Sequence, residues 1–297
     1  MKISEINISD PFVLPANGKY YIYGTRGATR WTAGTGFDCY VSDDLKNWSE
    51  PVEIFHKPEG FWADKSCWAP EVYLYNGAYY MFATFKDTTK FGGTAILRAD
   101  TPLGPFQEHS VRQVTPEDWE CLDGTFYVSP DGIPYMIFVH EWVQISDGQV
   151  CAVRLSPDLR KAVGEPFTLF SASEATGWII PHFQKNRPGA HYVSDGPFVH
   201  RMETGRLLIL WSSFGKKGYT EAIAYSDNGD ITGRWSQEEK LIFEKDGGHG
   251  MIFKDYSGRL YLTLHTPNET LRERPVFYEL KEEDGTLVLH NTTICSE

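Results

Sequence analysis

The run Asp10-Pro11-Phe12-Val13-Leu14-Pro15-Ala16-Asn17-Gly18-Lys19-Tyr20-Tyr21-Ile22-Tyr23 decides how this chain folds. It opens on a carboxylate, continues through an apolar stretch, turns at Asn-Gly and returns through aromatic and aliphatic residues. That order is a β-hairpin whose turn needs positive φ. Four more stretches repeat it. Ala69-Pro70-Glu71-Val72 leads to Asn76-Gly77, Asp123-Gly124-Thr125-Phe126 to Asp131-Gly132, Asp195-Gly196-Pro197-Phe198 to Thr204-Gly205, and His249-Gly250-Met251-Ile252 to Ser257-Gly258. The turn Gly follows the first residue by 8, 8, 9, 10 and 9 positions, and successive starts lie 59, 54, 72 and 54 residues apart. A third strand follows each hairpin, at residues 37–41, 94–98, 150–154, 220–224 and 275–278. After the first four comes a polar turn and usually a fourth strand, as at 51–55. Five such units in phase predict an all-β, five-bladed β-propeller, one domain over residues 1–297.

Composition agrees with blades joined by turns: 27 Gly, 17 Pro and 14% aromatic residues among 297. A net charge of −12 argues against nucleic acid as a partner, because polyanion affinity comes from basic groups. No apolar run is long enough for a membrane helix, so no membrane partner is expected. The N-terminus carries no apolar signal core, which gives a cytoplasmic expectation; a leader already removed would make the protein secreted or periplasmic. Cys39, Cys67, Cys121, Cys151 and Cys295 are scattered and without a CxxC, so they read as free thiols rather than disulfides or a zinc site. Nothing in the sequence bears on oligomeric state.

In a propeller the first strand of each unit lines the central channel, so the first residues meet at one rim. Asp10, Asp123, Asp195 and His249 therefore converge, with Ala69 from the second unit beside Trp68 and Glu71. The returning second strands bring Arg26, Lys86, His140, Glu141 and His265 to the same rim. A lone Asp at a strand start is usually a turn residue. Three around one cavity repel one another and push at least one pKa upward, supplying an acid and a base together. Glycosidic cleavage needs that pairing. Trp68 and Trp178 are the aromatic residues expected to face the cleft and stack on sugar.

Ser9-Asp10-Pro11-Phe12, Cys67-Trp68-Ala69-Pro70-Glu71-Val72-Tyr73, Leu122-Asp123-Gly124, Asp195-Gly196-Pro197-Phe198 and Gly248-His249-Gly250 resemble, one per blade and in order, the motifs of glycoside hydrolase family 43. The resemblance implies a five-bladed propeller that hydrolyses arabinans, arabinosides or xylosides with inversion, on an oligosaccharide or polysaccharide substrate. It implies Asp10 as general base, Asp123 as the carboxylate that tunes the acid, and Arg274 as an arginine meeting substrate hydroxyls. His249 takes the place of an axial histidine near a calcium or sodium ion or its waters, or else a purely hydrogen-bonded role. No other cofactor is expected.

One motif departs from the pattern. The family's acid is normally the Glu of Glu-Gly-Pro, and this chain has Asp195-Gly196-Pro197, shorter by one methylene. The acid is therefore Asp195 or Glu141, with Glu174 in the long stretch 171–193 as a more distant candidate, or else hydrolysis is lost. Trp119-Glu120-Cys121-Leu122-Asp123 also resembles the acid motif of the retaining sucrose and fructan hydrolases, with Glu120 as acid and Asp10 as nucleophile. The Arg-Asp-Pro motif of that family does not occur. A non-catalytic carbohydrate-binding propeller is the remaining alternative. Loops 27–35, 55–65 and 171–191 are expected to shape specificity. No β-sandwich follows the last blade, which leans the expectation toward arabinan-type substrates.

Overall fold

A computed structural model describes residues 1–293, with side chains through residue 290. Five four-stranded antiparallel sheets are arranged in sequence order as the blades of a propeller. Blade 1 holds β1 (Ile8–Ala16), β2 (Lys19–Arg26), β3 (Gly36–Ser42) and β4 (Val52–His56), and blade 2 holds β5 (Cys67–Tyr75), β6 (Ala78–Phe85), β7 (Gly93–Ala99) and β8 (Gln107–Gln113). Blade 3 comprises β9 (Cys121–Val128), β10 (Pro134–His140), β11 (Gln149–Leu155) and β12 (Ala162–Ser171). A two-stranded insertion follows, β13 (His182–Gln184) with β14 (Arg187–His191), which accounts for the 72-residue interval. Blade 4 is β15 (Asp195–Arg201), β16 (Leu207–Gly215), β17 (Gly218–Ser226) and β18 (Trp235–Gln237), and blade 5 is β19 (Gly248–Lys254), β20 (Leu260–Thr266), β21 (Arg274–Glu283) and β22 (Thr286–Thr293). The fourth strand of blade 5 is one that the repeat did not announce.

The innermost strands β1, β5, β9, β15 and β19 contact one another in a ring, and β1 closes it by packing on β19 and β20. The five turn glycines Gly18, Gly77, Gly132, Gly205 and Gly258 all have φ between +75° and +85°. At Gly18 a Cβ would meet no atom within 4 Å, so conformation rather than space selects Gly there. The second strands are buried on both faces, as in Met81-Phe82-Ala83 of β6 and Ile209-Leu210-Trp211 of β16, because each is sandwiched between neighbouring blades. Cys39, Cys67, Cys121 and Cys151 are buried free thiols, and Cys295 lies outside the described residues. Among the described residues no helix is long and apolar enough to cross a membrane.

Candidate active site

Each inner strand carries a bulge near its start, seen as a register shift against its partner between Ser9 and Phe12, Trp68 and Glu71, Asp195 and Phe198, and Gly248 and Met251, and in blade 3 on the partner strand between Ile137 and Val139. Within the bulge one residue takes a left-handed backbone: Asp10 (φ 54°), Ala69 (46°), Asp123 (54°), Gly196 (49°) and His249 (55°). Blade 4 therefore places Gly196, not Asp195, at the position matching Asp10, Asp123 and His249. The expectation that the three aspartates occupy equivalent positions is corrected here: Asp195 sits one residue earlier, opposite Ser212, as Ser9 sits opposite Thr25. A side chain at Gly196 is excluded not by its φ, which Asp10, Ala69, Asp123 and His249 share, but by the imidazole of His249, whose Cγ would lie 2.7 Å from an added Cβ.

The bulge N–H groups cannot join the strand ladder, and their acceptors come from the neighbouring blade. The Ala69 N–H donates to Thr25 Oγ1 (2.8 Å), Asp123 N–H to Thr84 Oγ1 (2.8 Å), His249 N–H to Ser212 Oγ (2.6 Å) and Asp10 N–H to His265 Nδ1 (3.1 Å). All four acceptors occupy one cross-strand position, where blade 3 has Val139. Valine has no acceptor, and the Gly196 N–H is taken instead by Asp123 Oδ2 at 2.9 Å. One carboxylate thus ties blade 3 to the backbone beside Asp195.

These residues line a cavity of about 450 Å³ at the channel mouth, which includes Asp10, Asp123, Asp195, His249, Glu141 and Trp68 as expected. His249 Nδ1 lies 3.2 Å from Asp10 Oδ1 and 3.8 Å from Asp123 Oδ2. Burial by itself would raise the Asp10 pKa, but the charges of His249, Arg30 and His265 and the Thr25 hydroxyl, 2.5 Å from Oδ2, together hold it at about 2. Asp123 moves the other way, raised by burial and then by the charge of Asp10. Asp195 is raised by burial and then by Asp123. Asp123 accepts a backbone N–H, which favours its ionised form, whereas Asp195 accepts only the Tyr219 hydroxyl at 3.2 Å. Of the two, Asp195 is thus the one whose ionised form its hydrogen bonds stabilise less. Burial lowers the His265 pKa to about 4, so its Nδ1 is free to accept from Asp10 while Nε2 faces Asn268 Oδ1 at 3.2 Å.

Glu141 reaches the cavity from the end of β10, but it is ion-paired with Lys86 at 2.6 Å. Lys86 also pairs with Glu120, and its Nζ lies 5.6 Å from the centre of the Trp68 ring. Its pKa is raised because the two glutamates outweigh its burial. Glu141 is thus the partner of a permanent cation. Glu120, the acid of the retaining alternative, lines the adjoining cavity and not this one. Glu174 lies elsewhere, its Oε1 accepting the Ser171 N–H that closes a short turn.

Several expected residues fall away from the cleft. Trp178 is buried in the apolar cluster between blades 3 and 4, its ring 5.2 Å from that of Trp211. Its position after the turn at Ala172–Glu174 carries it inward, and Trp31 and Trp142 line the pocket instead. Arg274 does not line the pocket; its guanidinium is taken up by the carbonyls of Ser4, Leu271 and Glu273. The arginine at the pocket is Arg30, held by the buried Glu273 at 2.5 Å and by Asn268. Arg26 pairs with Asp38 and Glu53, and His140 stacks on Trp119. Missed from the sequence altogether was Glu221 beneath the pocket, whose Oε2 accepts from Ser212 and the Gly250 N–H and so braces His249 from below. Burial raises both Glu221 and Glu71 to about 7. Among the described residues no three His, Cys, Asp or Glu side chains are grouped to hold a metal ion between them.

The family profile described as glycosyl hydrolases family 43 matches residues 3–286. The crystal structure of an endo-arabinase from Bacteroides thetaiotaomicron superposes with a TM-score of 0.88 at 36% identity, covering 96% of this chain and 98% of that one. The extracellular endo-α-(1→5)-L-arabinanase 1 of Bacillus subtilis is 26% identical over 145 residues, which is 46% of this chain and 44% of that protein; the match thus spans less than half of that relative. The extracellular exo-α-(1→5)-L-arabinofuranosidase of Cellvibrio japonicus is 21% identical over 294 residues, 88% of this chain and 79% of that protein.

Proposed function

The chain belongs to glycosyl hydrolases family 43, and from that premise we propose that it is an inverting glycosidase of α-L-arabinofuranosyl linkages in arabinan-type chains. One observation carries this reading: a single pocket gathers Asp10, whose carboxyl is held low, and Asp195, whose carboxyl burial raises, with Asp123 bonded to the Gly196 N–H beside Asp195. Asp10 takes a proton from the attacking water while that water bonds to the anomeric carbon. Asp195 gives its proton to the departing glycosidic oxygen, and Asp123 keeps that proton in place through its charge and through the Gly196 N–H. The hydroxyls of Thr25 and Ser9 and the imidazole of His249 orient the Asp10 carboxylate toward one face of the sugar. Trp31, Trp68 and Trp142 supply the apolar walls. The arabinan preference is supported by the endo-arabinase likeness over nearly the whole chain.

Hydrolysis of arabino- and xylo-oligosaccharides followed by NMR of the first-formed anomer tests the proposal. Cleavage of α-1,5-arabino-oligosaccharides with the β-anomer appearing first is expected. A retained α-anomer, or turnover of xylo-oligosaccharides alone, overturns it.

A further inference from the structure

Tyr219 is the second residue of β17, beside the tight turn in which Gly215 faces Gly218. Its backbone is held from both sides: the N–H donates to Asp246 Oδ1 at 3.2 Å, and the carbonyl accepts from the Gly247 N–H at 2.9 Å. The ring is buried, 5.2 Å from that of Phe214 and stacked 5.7 Å from that of His265. The backbone of Gly248 presses on the same ring, since a Cβ added there would lie 2.8 Å from its Cε1. A ring fixed on these sides delivers its hydroxyl to one place, Oδ2 of Asp195 at 3.2 Å.

Resting on the hydrolase reading above, we infer that Tyr219 is a positioning residue for the acid: its hydroxyl claims Oδ2 of Asp195, leaves the departing proton to Oδ1, and stabilises the carboxylate that remains. Among the described residues no other hydrogen bond reaches that carboxyl. As the bond between the anomeric carbon and the glycosidic oxygen breaks, its electron pair stays on that oxygen, which takes the Oδ1 proton. Asp195 becomes a carboxylate, Tyr219 keeps its own proton, and the hydrogen bond between them turns from neutral to charge-assisted, roughly twice as strong. The gain is therefore larger in the transition state than in the ground state, which is what raises a rate. Burial and the charge of Asp195 hold the phenol far above its ordinary pKa, so it remains a donor. Asp123, His249 and Glu141 also act on Asp195 through their charges, and Asp10, Arg30 and His182 are the further charged or titratable groups of the pocket. Tyr219 alone bonds it.

Tyr219→Phe removes the hydroxyl and keeps the ring, and circular-dichroism melting confirms that the variant is folded. On α-1,5-arabino-oligosaccharides kcat is expected to fall roughly tenfold, with KM little changed. On 4-nitrophenyl α-L-arabinofuranoside, whose leaving group needs little protonation, the loss is expected to stay within twofold. Losing a donor to the ionised form raises the acid's pKa, so the basic limb of the pH–rate profile is expected to move to higher pH. In an Asp195→Asn background the same change is expected to cost nothing further, because the group it serves is gone. Equal losses on both substrates, an unmoved limb, or full additivity with Asp195→Asn overturns the inference and leaves the hydrolase reading standing. A wild type that turns over neither substrate sinks that reading. The inference is then judged by ¹³C NMR of the Asp195 carboxyl, whose titration must move to higher pH in Tyr219→Phe if it holds and stays in place if it fails.

Discussion

At the axis, Asp10, Asp123 and Asp195 crowd around His249, and none of the three pairs with a Lys or Arg among the described residues. Farther along the same cleft, Glu120 and Glu141 share the buried ammonium of Lys86. Both groups are nearly dry, yet their charge balance differs. At the axis burial raises all three, but the charges of His249, Arg30 and His265 bring Asp10 alone down to about 2, and its own charge and that of Asp123 push the neighbours further upward. Where a permanent cation is bonded to both carboxylates, they become fixed acceptors and leave proton chemistry to the other cluster. Composition within a cleft is thus a poor guide to roles, and the partner of each carboxylate decides.

The sharpest way to break this comparison is Asp10→Asn, which removes the base. Turnover of every substrate is expected to fall by about 10³–10⁴-fold, near the upper range for a general base, in steady-state assays. A residual rate within tenfold of wild type removes Asp10 from that role. Next comes the contrast of Asp195→Asn with Glu141→Gln. The first is expected to lose roughly 10²–10³-fold on arabinan linkages while keeping most activity on aryl arabinosides with good leaving groups, which need little protonation. The second is expected to lose far less on arabinan and to show no such split between substrates. If the split appears in Glu141→Gln instead, the two clusters exchange roles.

A smaller effect sharpens the electrostatic half. The acid is active while protonated, so the rate falls as pH rises through the raised Asp195 pKa. Burial is the larger cause of that raised value and Asp123 the next. Asp123→Asn takes away the second, and the basic limb of the pH–rate profile is expected to move to lower pH. A limb that stays in place removes Asp123 from the tuning role. Smallest of all is a stability signature. Native Asp195 retains a proton that the unfolded chain releases above its ordinary pKa near 3.9, so wild-type stability declines as pH rises from there through the folded value. Asp195→Asn is expected to melt a few degrees above wild type at pH 8 and alongside it at pH 4. Equal melting temperatures at both values would mean that the site stores no such penalty.

Much of this site is legible in the sequence. Asp10, Asp123, Asp195, His249, Trp68 and Glu141 reach one pocket because the strand that lines the channel and the strand that returns to its rim follow from the hairpin repeat. The misplacements share a cause. Trp178 and Trp31 both sit in irregular segments, and no periodicity says which turns inward; the first packs on Trp211 and the second bonds Thr270 at the cleft. Arg274 and Arg30 compete for the same role, and the choice is made by Glu273, 243 residues from Arg30 in the chain.

The sequence by itself determined the five hairpins, their order around the axis and the short list of side chains at one rim. Those properties depend on local turn geometry and on alternation along a strand, which neighbouring residues encode. Only the tertiary structure decided that Asp195 stands one position out of step, that Asp123 must replace the acceptor missing at Val139, and that Lys86 neutralises Glu141. The last two rest on contacts between blades. Their partners lie 73 and 55 residues apart in the two hydrogen bonds concerned, and no local pattern records which distant group a buried carboxylate will meet.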